Sequence, residues 1–297
     1  MKKILAIAVA TAIAAPAMAD MTIGGTIIAG YSNTEASTSG YGIDTAALKI
    51  SGSTTTDNGL AIAGSMSVGG LQRGDEIGGE DASMSISGDF GTVAMSSVEA
   101  GNGVFDWSAV GPAENMSGEL LDKSMLDMLS YTAPKFGNFT VKAGISHTAD
   151  GVGAGDEDAF DPDFNLAYAS GAVSAFANYK VCASDSTCDN RVRFGVKYDA
   201  GVAVVAAAYG DNNAVDSTKD SVDMSAGVSV PMGATTLGLN WASTELDNTT
   251  GGARDAYSVG VSHNLGGGVS LAAKYTNWDD TTATDTSKSS VLMSFAF

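Results

Sequence analysis

The chain is short of charge, of basic residues above all, and of the residues that build catalytic and metal sites. Of its 297 residues only 16% are charged, and 15 Lys and Arg stand against 34 Asp and Glu. An ordinary soluble domain carries about 25% charged residues. A surface with this acidic excess repels phosphate, which excludes nucleic acid as a partner. Two Cys and two His are too few for an ordinary zinc site. Beyond the N-terminus no apolar run approaches the roughly 20 residues of a membrane-spanning helix. If the chain sits in a membrane, it therefore crosses as a closed barrel of strands. What the sequence has in quantity is Gly (37 residues), with much Ser, Thr and Ala, at a mean hydropathy of only +0.08. That mixture suits many strands with one apolar and one polar face.

Met1 to Ala19 reads as an export signal. Lys2 and Lys3 open it, Ile4 to Ala15 is apolar, and Ala17-Met18-Ala19 has the small-residue pattern of a cleavage site. Residues 20–297 then form a single domain, and removal of the two lysines makes the balance still more acidic. From there the chain alternates with the period of a half-buried strand. Val192, Phe194, Val196 and Tyr198 share one face, and Arg191, Arg193 and Lys197 the other. Ala82, Met84 and Ile86 alternate with serines, as do Tyr257, Val259 and Val261 with Ser258, Gly260 and Ser262.

Gly- and Asn-containing turns separate these runs, at Asp57-Asn58-Gly59, Asp89-Phe90-Gly91, 134–138, Ser170-Gly171, 199–201, 231–233 and 265–268. Longer polar connections lie between them, near 32–42, 70–80, 97–123, 148–161, 182–190, 211–219, 244–252 and 279–286. Short and long connections alternate, which predicts sixteen antiparallel strands with all short turns at one end. A barrel of that size is too wide for side chains to fill. The polar set therefore faces a wet lumen and the apolar set faces lipid. Tyr31, Tyr131, Phe136, Phe139, Tyr168, Tyr179, Tyr198, Tyr257, Tyr275, Trp278 and Phe295 fall near strand ends, as interfacial aromatic girdles do. Lys49, Lys142, Lys180, Arg191, Arg193, Lys197 and Lys274 all take the lumen parity. His147 and His263 fall at opposite ends of their strands, so no shared catalytic site is expected and the chain is not read as an enzyme. Cys182 and Cys188 flank a short loop tip, and export to an oxidising compartment makes a disulfide the expectation.

Three segments carry a resemblance. Ile86-Ser87-Gly88-Asp89-Phe90-Gly91-Thr92 resembles a strand–turn–strand signature, and Asp57-Asn58-Gly59-Leu60 a first periplasmic turn. Val291 to Phe297 resembles the terminal strand that signals outer-membrane insertion. Together they make the chain similar to the Gram-negative general porins, in particular the alphaproteobacterial, Rhodobacter-type branch. The resemblance implies a 16-stranded transmembrane barrel with periplasmic turns and extracellular loops. It also implies a homotrimer in outer-membrane lipid and lipopolysaccharide, passing ions and small hydrophilic solutes. In that family the third long loop folds inward, which makes Glu99, Asp106, Glu114, Glu119 and Asp122 the expected constriction carboxylates, facing the wall cations, Lys49 and Lys142 first. The acidic excess then predicts a mild preference for cations. Calcium often sits among acidic loop residues in that family. Asp156, Asp158 and Asp161 are the candidates here, against the reading of a solvated loop, and no other cofactor is expected. Two rivals stand beside the porin reading. A substrate-specific channel needs an aromatic track in the lumen, where only Phe176 and Trp278 are found. A secreted adhesin has no use for the terminal strand.

Overall fold

The computed structural model describes residues 20–35, 39–70, 78–117, 120, 124–148, 160–182, 188–217, 220–246, 253–279 and 285–297. The leader at 1–19 lies outside them. Sixteen strands form: β1 (Asp20–Thr34), β2 (Ser39–Thr55), β3 (Ala61–Gly69), β4 (Gly78–Gly88), β5 (Gly91–Ala100), β6 (Ser124–Thr132), β7 (Phe139–Thr148) and β8 (Asp161–Ser170) come first. They are followed by β9 (Val173–Val181), β10 (Cys188–Asp199), β11 (Val204–Ala214), β12 (Ser221–Met232), β13 (Thr235–Leu246), β14 (Ala253–Gly266), β15 (Val269–Asp279) and β16 (Asp285–Ala296). Each pairs antiparallel with its sequence neighbours, and β1 closes on β16 with Tyr31 opposite Val291. Closure leaves no sheet edge, which is the condition for strands to cross a lipid layer. Among the described residues one helix interrupts the series, α1 (Gly103–Ser108), between β5 and β6.

The turns fall where Gly and Asn placed them. In the two-residue turn after β8, Gly171 takes φ +55°, a conformation that side-chain-bearing residues rarely adopt. The last residue, Phe297, exchanges backbone hydrogen bonds with Gly25 of β1 at 2.9 and 3.0 Å, which closes the seam at the short-turn end.

Alternation fixes which face each residue takes. On β10 the outward set is Val192, Phe194, Val196 and Tyr198, each 41–54% exposed. Large apolar residues are exposed in the same way around the whole circumference. A continuous apolar surface of that extent is not tolerated in water and is matched by hydrocarbon. The hydrophobic cluster lies instead inside the barrel, where a loop meets the wall.

Several boundaries differ from the pattern read in the sequence, since β4 begins at Gly78, β11 runs to Ala214 and β13 to Leu246, inside stretches read as loop. β1 and β2 run on to Thr34 and from Ser39, because cross-strand pairing extends strands through residues with little hydrophobic signal, such as Asn33 opposite Ser39. β10 begins at Cys188, three residues earlier than the loop boundary suggests. β5 continues to Ala100, so Ser97 to Ala100 is strand and not third loop. Trp278 does not join the aromatic belt. It takes the inward parity of β15 and packs against the luminal cluster.

Candidate functional site

The connection from β5 to β6 turns into the barrel. Asn102 starts it. Its side-chain oxygen accepts from the Val104 backbone N–H at 2.9 Å and caps α1. Its amide donates at 2.8 Å to Oδ2 of Asp223 on β12, so one side chain both nucleates the helix and ties it to the wall. A six-residue helix is not stable alone and depends on what it touches. Val104 and Phe105 are buried with Met116 and Leu120 from the returning half of the loop. Ala208, Ala242 and Ala256 of the wall, with Trp107, Phe176 and Trp278, complete this cluster. Wall hydroxyls and amides then meet the loop backbone. Ser225 donates to Val104 O at 2.7 Å and Asn240 to Glu114 O at 2.9 Å, while Ser258 Oγ accepts from Glu114 N at 2.9 Å.

Under the loop a row of wall positions has no side chain. Gly195, Gly210, Gly227, Gly238 and Gly260 sit on successive strands β10 to β14, all on the inward parity. None has a positive φ among the described residues, so glycine serves here to make room and not to make a turn. A Cβ on Gly195 would stand 2.6 Å from Trp107 Cδ1, one on Gly210 2.7 Å from Val104 Cγ2, and one on Gly238 2.8 Å from the Pro112 ring. On Gly227 and Gly260 it would run into the backbone oxygens of Ser108 and Pro112.

The charges divide between two sides. On the loop side Glu114 is paired with Lys274 at 3.0 Å. Lys197 places its ammonium 4.9 Å from the Trp107 ring centroid, a cation–π contact. Arg193 lies beside Arg191 and in the field of Asp223, Asp163 and Asp106, while Asp163 takes two hydrogen bonds from Asn178. Asp106 is exposed on α1. Its Oδ1 accepts from Asn115 Nδ2 and Ser117 Oγ, both at 2.7 Å, which ties the exposed carboxylate to the returning half of the loop. The opposite wall, β1 to β7, is lined by hydroxyls. Thr22 meets Ser51 at 2.8 Å, Ser65 meets Ser83 at 2.9 Å and Ser87 meets Thr92 at 2.9 Å. Lys49 and Lys142 stand on that wall, paired in register with Ser67 and with Asn165.

Of the residues singled out in the sequence, the structure brings Asp106 and Glu114 into the lumen on the loop. Glu99 is not with them. It is the penultimate residue of β5, on the outward parity, where its N–H donates to Asp81 at 2.9 Å. Glu119 and Asp122 lie outside the described residues. All seven wall cations take the inward parity, and among the described residues those that meet the loop are Arg193, Lys197 and Lys274, not Lys49 and Lys142. Asp156 and Asp158 also lie outside the described residues. Asp161 is buried at the start of β8 and paired with Lys180 at 3.0 Å. Among the described residues no cluster of three or more potential metal ligands forms. Cys182 and Cys188 are joined as a disulfide across the fifth loop, with Cα atoms 5.5 Å apart. Sequence reasoning missed the anchor Asn102–Asp223, the apolar luminal cluster and the glycine footing. Glycine at the inward parity of consecutive strands was the available signal for the last of these.

Comparison with known proteins agrees with this fold. The family model for Gram-negative porin matches residues 6–283. An engineered triple variant of the Rhodopseudomonas blastica porin superposes with a TM-score of 0.66 at 16% identity, over 93% of this chain and 100% of that one. Another variant of the same porin, also with three substitutions, gives 0.68 at 15%, over 93% and 100%. A loop-deletion mutant of OmpT, an outer membrane protein of Vibrio cholerae, gives 0.68 at 16%, over 94% and 99%. By sequence alone, no curated protein matches the chain.

Proposed function

Because the chain belongs to the Gram-negative porins, and so forms an outer-membrane channel and not an enzyme, we propose a mildly cation-selective, trimeric pore for passive diffusion of ions and small hydrophilic solutes. The observation that carries the selectivity is the exposed carboxylate of Asp106 on the loop. Glu114 is ion-paired with Lys274 at 3.0 Å, whereas Asp106 is exposed, takes its hydrogen bonds among the described residues from the neutral Asn115 and Ser117, and meets Arg193 through its field without an ion pair. A fixed negative charge on the face bordering the passage raises the local concentration of cations. Lys49 and Lys142, on the hydroxyl wall across from it, hold the preference to a mild one.

A saturable sugar or aromatic site is disfavoured by the same geometry. Phe176 and Trp278 point inward but are covered by the loop, and the uncovered wall offers hydroxyls without an aromatic track.

The trimer rests on the outer surface. β3, β4 and β5 contain no aromatic residue, and apart from Glu99 near the end of β5 the outward side chains through their middle are small, aliphatic or Met, including Met66, Met84 and Met95. They border a shallow groove of about 1090 Å³ that also takes in Asp127. A carboxylate on the outward face is costly against lipid and suits contact with a second copy of the chain. The aromatic remainder of the belt meets lipid and, at its outer rim, lipopolysaccharide.

Reversal potentials in a tenfold KCl gradient test the selectivity. The expected result is a cation-selective potential at low salt that decays as the mean concentration approaches 1 M, where the screening length shrinks to about 3 Å. An anion-selective potential at low salt would overturn it, and would mean that Lys49, Lys142 and the arginines dominate the passage.

A further inference from the structure

We propose that the glycine footing on β10 to β14 sets the width of the channel, with Gly227 and Gly260 as the positioning residues that matter most. The inference rests on the channel reading above and adds what fixes the dimension of the passage. The passage lies between the free face of the third loop and the hydroxyl wall. Its width depends on how deep the loop sits on the opposite wall. At five consecutive strands that depth is reached by removing the side chain from the wall.

The five positions are not equivalent. At Gly195 and Gly210 an added Cβ first meets side chains, Trp107 and Phe176 in one case and Val104 in the other. Those groups have rotamers with which to yield. At Gly238 it meets the Pro112 ring and the backbone N of Ala113. At Gly227 and Gly260 it meets the carbonyl oxygens of Ser108 and Pro112, which do not move without the loop. These two contacts bracket the stretch 108–112. Its neighbours are tied down by Ser225 to Val104 O and by Asn240 to Glu114 O. A methyl group at either point therefore lifts the loop toward the passage by on the order of 1 Å to regain ordinary van der Waals distance. One methyl group on an open lumen wall would remove almost no cross-section. Placed under the loop, it moves the whole face that bounds the passage.

The test is single-channel conductance and sugar-size exclusion in liposome swelling for G227A, G260A, the double variant and G227V. A63V on the uncovered wall of β3 serves as the control for added bulk alone. Heat-modifiable migration verifies that each barrel is folded, and G238A gives a milder step should the double variant fail to assemble. The expected result is a conductance lowered by about a third in each single alanine variant, further in the double and in G227V, with a smaller exclusion limit. A63V stays at the wild-type value. Folded glycine variants that conduct as the wild type does, or more, would overturn the inference while leaving the channel reading in place. Folded wild-type protein that does not conduct would overturn both.

Discussion

Asp106→Lys abolishes or reverses the cation preference at low salt. The substitution replaces one fixed negative charge by a positive one on the loop face that borders the passage. At about 5 Å in water each unit of charge is worth about 0.8 kcal/mol to a passing ion, or about fourfold in local concentration. A change of two charges acts in opposite senses on cations and anions, so even after screening near 0.1 M salt the cation-to-anion permeability ratio is expected to fall by at least about an order of magnitude. Asp106→Asn should give about half that shift on a logarithmic scale. It keeps an acceptor for Asn115 or Ser117, so the loop stays seated and conductance at high salt is unchanged. Reversal potentials of the three proteins at 0.1 M and 1 M separate charge from shape. A charge effect collapses at the higher concentration, while a displaced loop does not recover.

Asp223→Ala frees the root of the loop. Asp223 is 1% exposed, and its Oδ2 receives the amides of Asn102 at 2.8 Å and Asn212 at 2.7 Å. Removing it leaves the buried amide of Asn102 without its acceptor, leaves Asn212 only its longer bond to Ser221 Oγ at 3.2 Å, and takes from Arg193 a facing carboxylate. The expected penalty is roughly 3–5 kcal/mol, concentrated on the attachment of the loop and not on the barrel ladder. Asn102 also caps α1, so loss of its tether loosens the helix as well. Wild-type-like heat-modifiable migration is expected, together with a noisier open-channel current and a larger exclusion limit in swelling assays. Asp223→Asn keeps one acceptor oxygen and recovers part of the quiet current. A quiet channel with the wild-type exclusion limit in Asp223→Ala would show that the apolar cluster alone holds the loop.

The barrel was legible because its signals are local and repeated. Alternation of apolar and polar residues gives strands, Gly and Asn give turns, and the cost of charge against lipid puts Arg193, Lys197 and Lys274 inside. Which wall receives the loop was not legible. That depends on residues from β9 to β15 that meet only in three dimensions, such as Phe176 under Trp107 or Asp223 on Asn102. Phe105, Met116 and Leu120 carry no strand or helix period that marks them as a core inside a wet lumen. Glu99 was misplaced for a related reason. Pairing with Met125 prolongs β5 past the point where its own alternation is convincing. Trp278 shows the limit of reading aromatics as a belt. Position near a strand end fits a girdle, but parity decides the side, and its parity is inward.

The most direct measurement is the current through a planar lipid bilayer after addition of the purified mature protein. The account predicts large, ohmic insertion steps that close in thirds. Folded, heat-modifiable protein that inserts without such steps would contradict it, because a loop seated on the wall by glycines and anchored at Asp223 leaves the passage open.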